Sequence, residues 1–140
     1  MKHLKFYDQF VNEAIATADD KYAAFFAELL GIRAQAHLYH WQTESYEAHV
    51  ALDGFYSAFI DLADKLAESI LGNAERPKVG KAVIELNDYS EENVQLYIEN
   101  IYNVFKSTAI EVAAGRSEII NIIDEIVAET DKLKYLLTLK

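Results

Sequence analysis

Residues 46–71 read YEAHVALDGFYSAFIDLADKLAESIL, and the register of that run decides how the chain folds. Leu52, Phe55, Phe59, Leu62, Leu66 and Ile70 recur at three- and four-residue steps. Such a period predicts one long amphipathic helix from about Tyr46 to Leu71, stopped by Gly72-Asn73. At about 100° per residue, His49, Asp53, Ser57, Ile60, Asp64 and Glu68 fall within an arc about 100° wide. The apolar stripe centres about 140° away by the same count. The side chains able to do chemistry therefore look away from the core that their own helix builds.

The flanking segments supply the remaining helices. A preceding helix starts near Asp19-Asp20, acids that suit a helix N-terminus. Phe25, Leu29, Ile32, Ala36 and His40 follow at helical steps, which places His40 on the stripe facing the core. Residues 4–17 have a weaker period and read as a short leading helix. From 73 to 89 the chain reads as a long crossover holding Pro77 and Gly80, with room for one short helix around 81–86. Ser90 then caps a third helix whose apolar face is Val94, Ile98, Ile101, Phe105, Ala109 and Val112, ended by Gly115. Ser117 caps a fourth, with Ile119, Ile123, Ile126, Leu133 and Leu137 inward. The fold expected is all-α, two helical hairpins joined by one long crossover. That connectivity is the ferritin-like four-helix bundle, as opposed to an up-down bundle with three short loops.

Composition agrees with one domain over residues 1–140. The chain is 51% hydrophobic and 26% charged, with one proline and five glycines, sparse punctuation that suits long helices. It has no cysteine, which removes disulfides and thiolate metal sites. No run approaches the roughly 18 apolar residues of a membrane span, and the start of the chain does not lead into a signal-peptide core. A cytoplasmic location is expected. The net charge of −10 argues against general affinity for nucleic acid and favours attraction of cations. Lys2, Lys5, Lys132, Lys134 and Lys140 form the only basic concentrations near the termini, and read as solvated helix ends.

The outward arc, with His40-Trp41 at the end of the preceding helix, is a ligand set. Imidazole and carboxylate together suit Fe, Mn or Zn, whereas Ca and Mg take oxygen alone. No Glu stands three residues before His37, His40 or His49; those positions are Ala34, His37 and Tyr46. This excludes the Glu-x-x-His di-iron site of a bundle interior. His49/Asp53 and Asp64/Glu68 are each spaced to share one ion, but the pair centres lie about 15 residues apart, roughly 22 Å along a helix. One helix alone cannot join them. If two copies pack antiparallel about a two-fold near 56–60, His49/Asp53 of one meets Asp64/Glu68 of the other, and two identical sites form. Ile60, odd on a solvated face, is then buried at the two-fold.

The runs Tyr39-His40-Trp41, His49-Val50-Ala51-Leu52-Asp53-Gly54-Phe55 and Asp64-Lys65-Leu66-Ala67-Glu68 resemble the ferroxidase segment of the Dps-type miniferritins. The resemblance covers residues 39–68, and elsewhere extends only to helix order and length. It implies that His40, His49 and Asp53 of one subunit and Asp64 and Glu68 of its two-fold mate hold the metal. It also implies that Trp41 is a reductant able to quench a one-electron oxidant; a packing aromatic is the plainer role for it. The implied activity is ferroxidase: Fe(II) is oxidised, preferably by hydrogen peroxide, and stored as Fe(III) mineral inside a hollow dodecamer built from two-fold dimers. Iron is the implied metal, with Zn or Mn able to take the same donors.

The pattern departs from the family in places. Nine positions separate His40 from His49, fewer than usual, and the usual glycine between them is absent. The short connection 42–47 bears on where His40 sits, while His37, one turn earlier, reads as a bystander. The lysine-rich tail that often carries DNA binding is missing, so no DNA binding is expected. Glu118, Asp124 and Asp131 read as a solvated face more readily than as an acidic entry pore. Two other functions remain open: a helical protein that sequesters metal without turnover, and a structural or interaction protein with a vestigial site.

Overall fold

The computed structural model describes residues 21–139. The expected leading helix at 4–17 and the start at Asp19-Asp20 lie outside the described residues. The described chain is all-helical, with α1 Lys21–Gln42, α2 Tyr46–Leu71, α3 Glu91–Asn103, α4 Ala109–Ala113 and α5 Ser117–Leu136. A π-helical turn, Val104–Thr108, joins α3 to α4 so that the two run on as one rod. The four rods pack into a bundle; α2 lies against both α1 and α5.

Each rod follows its apolar period. On α1, Phe25, Leu29, Ile32 and Ala36 are buried, but the stripe continues through Tyr39 and leaves His40 only partly covered. This corrects the expected inward position of His40. Ala36 plus three residues gives Tyr39, and its bulky ring fills the core, edge-on to Tyr89 and Tyr97. On α2, Leu52, Phe55, Phe59, Leu66 and Ile70 are buried, and Leu62 is half-buried. Ser45 caps that helix by accepting from the Ala48 amide at 3.2 Å. Phe105, from the π turn, meets Phe25 and Phe59 with its ring tilted edge-on to both. Burying aromatic rings of this size is the largest stabilising contribution a small bundle has.

Gly72 to Ser90 crosses between α2 and α3 without regular structure, and no short helix forms at 81–86. Side chains from α1 tie it down in place of helix bonds. Gln35 donates to the Asn87 carbonyl at 2.9 Å and accepts from the Asn87 amide at 2.7 Å. Gln42 accepts from the Tyr89 amide at 2.7 Å and donates to Asp88 at 2.9 Å. With its backbone groups used this way, and Gly80 at φ +67, the segment has an extended path that a helix would forfeit. Ser90 caps α3 as expected, accepting from the Asn93 amide at 3.0 Å. At the next junction the cap position of α5 falls on Arg116, not on Ser117. Ala114 and Gly115 both take left-handed backbone there, and that tight reversal starts the helix one residue early.

Candidate metal centre

A three-residue connection brings the end of α1 against the start of α2, and with it the two histidines. The His40 and His49 rings stack with centroids 3.9 Å apart and planes 18° apart. His40 Nδ1 lies 3.0 Å from the His49 carbonyl, and His49 Nδ1 lies 2.8 Å from the His40 carbonyl. A carbonyl oxygen can only accept, so both rings donate from Nδ1. In the neutral imidazole this leaves the lone pair on Nε2, across the ring from the tether. Metal-binding histidines are commonly oriented by such a bond from the other nitrogen. The short connection thus brings His40 to His49 instead of displacing it.

The rest of the arc lies where the helical count puts it. Asp53, Asp64 and Glu68 are exposed, and Ile60 is half-buried. Asp53 is one turn beyond His49; Asp64 and Glu68 stand farther along α2, roughly 22 Å between pair centres. Among the described residues, no three His, Asp or Glu side chains of one chain converge tightly enough to hold an ion. Two imidazoles are therefore gathered, and the acids are ranged along the same outward face without reaching them.

His37 is more than a neighbour in sequence. Its ring lies between Trp41, at 4.1 Å, and Tyr56, stacked at 4.2 Å, with His40 at 6.2 Å. Trp41 itself is 68% exposed, with His37 against its ring. Reading one helix at a time hid this cluster, because it forms only where α1 crosses α2. The facing positions His37 and Tyr56 were the available signal.

Two of the acids farther away have side-chain partners. Glu118 sits in the first turn of α5, where hydrogen bonding to its own backbone, then to Arg116 at 2.8 Å, lowers its pKa. Asp131 accepts from the Tyr102 hydroxyl at 2.5 Å; burial and then that bond push the phenol up to about 12. At the end of the bundle a cleft of 630 Å³ is rimmed by Glu47, Glu91 and Glu92. These acids lie in the first turns of α2 and α3, where the helix dipoles favour them.

Residues 40–137 match the family of unknown function DUF5856. The chain belongs to this family. The matched span opens at His40 and takes in Trp41, His49, Asp53, Asp64 and Glu68, so the whole candidate centre lies inside the DUF5856 region. No curated protein and no solved structure matches the chain.

Proposed function

We propose that this DUF5856 protein is a ferroxidase and iron store of miniferritin type, with a ferritin-like bundle, that oxidises Fe(II) at seams between copies of the chain. The observation carrying the reading is the tethered imidazole pair, each Nδ1 turned to a carbonyl, at the head of a helix face bearing Asp53, Asp64 and Glu68. In an antiparallel pair of copies, His40, His49 and Asp53 of one face Asp64 and Glu68 of the other. Iron is the substrate. Imidazole nitrogens bind Fe(II), and the carboxylates favour the higher charge of Fe(III). With peroxide as oxidant, two Fe(II) each give up one electron. The O–O bond of one H2O2 breaks, two protons are taken up, and two waters result. Trp41, exposed and with its ring 4.1 Å from His37, would reduce a stray one-electron oxidant.

Storage requires a closed shell, for which the two-fold dimers of a dodecamer are the proposed unit. The test is an anaerobic Fe(II) titration of the full chain followed by peroxide, read as Fe(III) absorbance. Stoichiometric oxidation that His49→Ala abolishes supports the ferroxidase. Tight Zn(II) binding with no iron oxidation beyond the buffer rate would replace it with the sequestering protein. A second reading draws on the same pair of bonds: each histidine ties down the other's backbone, which by itself closes the α1–α2 hairpin. In that case neither metal is bound at this face.

A further inference from the structure

The crossover between α2 and α3 has a clamped end and a bare one. Gln35 takes both backbone groups of Asn87, and Gln42 takes the Tyr89 amide. Upstream of these clamps the chain reaches Asn87 from Ala82 without a turn or bend. Among the described residues, Ala82, Val83, Ile84 and Leu86 bond to no other backbone group. Their side chains are apolar, and Val83, Ile84 and Leu86 are 51%, 40% and 44% exposed. A straight, branched, apolar run with unused backbone donors and acceptors is a template for another strand.

Charge normally blunts such an edge. Here the two charges have opposite sign and stand symmetrically about Val83, Lys81 two residues before it and Glu85 two after. Two copies of the run set antiparallel about Val83 therefore place Lys81 of each opposite Glu85 of the other. Ala82 falls opposite Ile84, and Gly80 opposite Leu86, so each large side chain lies across from a small one. Val83 meets its own copy, a β-branched pair that suits a sheet. The same register brings Lys78 toward Asp88. A parallel alignment would instead set Lys81 on Lys81 and Glu85 on Glu85. The segment is its own complement in one direction only.

We infer that residues 80–86 pair with the same segment of a second copy, as an antiparallel ribbon across a two-fold through Val83. Backbone bonds supply the register, and the branched side chains supply the apolar area that a bare two-stranded ribbon lacks. None of the proposed metal donors takes part, so this pairing stands or falls apart from the ferroxidase reading.

The chain has no cysteine, so introduced cysteines report the register in the full-length protein. Opposed residues of an antiparallel pair have Cα atoms about 4.5–5.5 Å apart, within reach of a disulfide. Lys81 and its own copy would be roughly 14 Å apart, four residues along a strand. Under mild oxidation Val83→Cys is expected to form disulfide dimers at least about tenfold faster than Lys81→Cys. A mixture of Lys81→Cys and Glu85→Cys is expected to cross-link at least about tenfold faster than either variant alone. In sedimentation velocity at equal concentration, Val83→Lys, which sets two ammonium groups at the two-fold, is expected to run as a smaller species than the parent. Lys81→Cys that cross-links as fast as Val83→Cys overturns the antiparallel register. A parent that is monomeric at the concentrations used, or a Val83→Lys variant that sediments as the parent does, overturns the ribbon itself.

Discussion

A ring nitrogen that donates to a carbonyl fixes its own tautomer, and His40 and His49 do so for each other. The same two bonds suit a hairpin clasp and the proposed ligand pair alike, so the readouts must be separated. His49→Ala removes one donor and the stack. It is expected to destabilise the metal-free protein by about 1 kcal/mol, read from urea unfolding in chelator. It is also expected to weaken Co(II) binding by about 10- to 100-fold, read from ligand-field absorbance. A clasp alone would move the first quantity and leave the second at zero in both proteins. Tyr102 offers a test at the opposite extreme of pH. Its phenol rises from 10.0 to about 12 through burial, then the bond to Asp131. A raised pKa contributes stability that is complete below the unfolded value and lost as pH climbs through the folded one. The advantage of the parent over Tyr102→Phe should therefore be constant below pH 10 and shrink as pH approaches 12, read as the difference between urea midpoints. A gap that stays level across that window would mean that folding leaves the phenol's pKa unchanged.

Element by element, the sequence announces what depends on period and caps, and is silent on what depends on crossing points. Tyr46–Leu71 is legible at both ends because six apolar residues hold a single stripe and Gly72-Asn73 follows it. The outward arc of acids is legible for the same reason. The meeting of His40 with His49 is not, since it depends on how three connecting residues turn and on two ring orientations. Nor is the π turn, which inserts extra helical slack while Phe105 and Ala109 remain buried, so the apolar spacing looks uninterrupted. The α4–α5 junction carries a sharper consequence. Ala114 ends α4 at φ 50, a left-handed conformation that its Cβ resists, and its side chain is exposed. Ala114→Gly removes that resistance without emptying any packed space, and is expected to raise stability by about 0.5–1 kcal/mol in denaturant unfolding. Loss of stability instead would mean that the glycine's greater freedom in the unfolded chain outweighs the strain relieved.

At the scale of the whole molecule the governing quantity is charge. No helix among the described residues is long and apolar enough to cross a membrane, and the net charge is −10. An acidic protein draws Fe(II) toward itself and pushes nucleic acid away, so the two must respond to salt in different ways. Counterions shorten the reach of exposed carboxylates, from about 20–30 Å at tens of millimolar salt to a few ångströms near molar salt. If acids on the outer surface and along α2 gather the substrate, the initial rate of iron oxidation at limiting Fe(II) should fall several-fold between about 20 mM and about 500 mM salt. On the proposed ferroxidase reading the total iron oxidised per chain should not change, because donors in contact with an ion are screened far less than distant charges. Duplex DNA should remain unretarded at about 150 mM salt, because a net charge of −10 repels the phosphates. Stopped-flow absorbance and a gel shift read the two halves. A rate indifferent to salt would place substrate capture in the imidazole pair alone and leave the acidic surface to solubility.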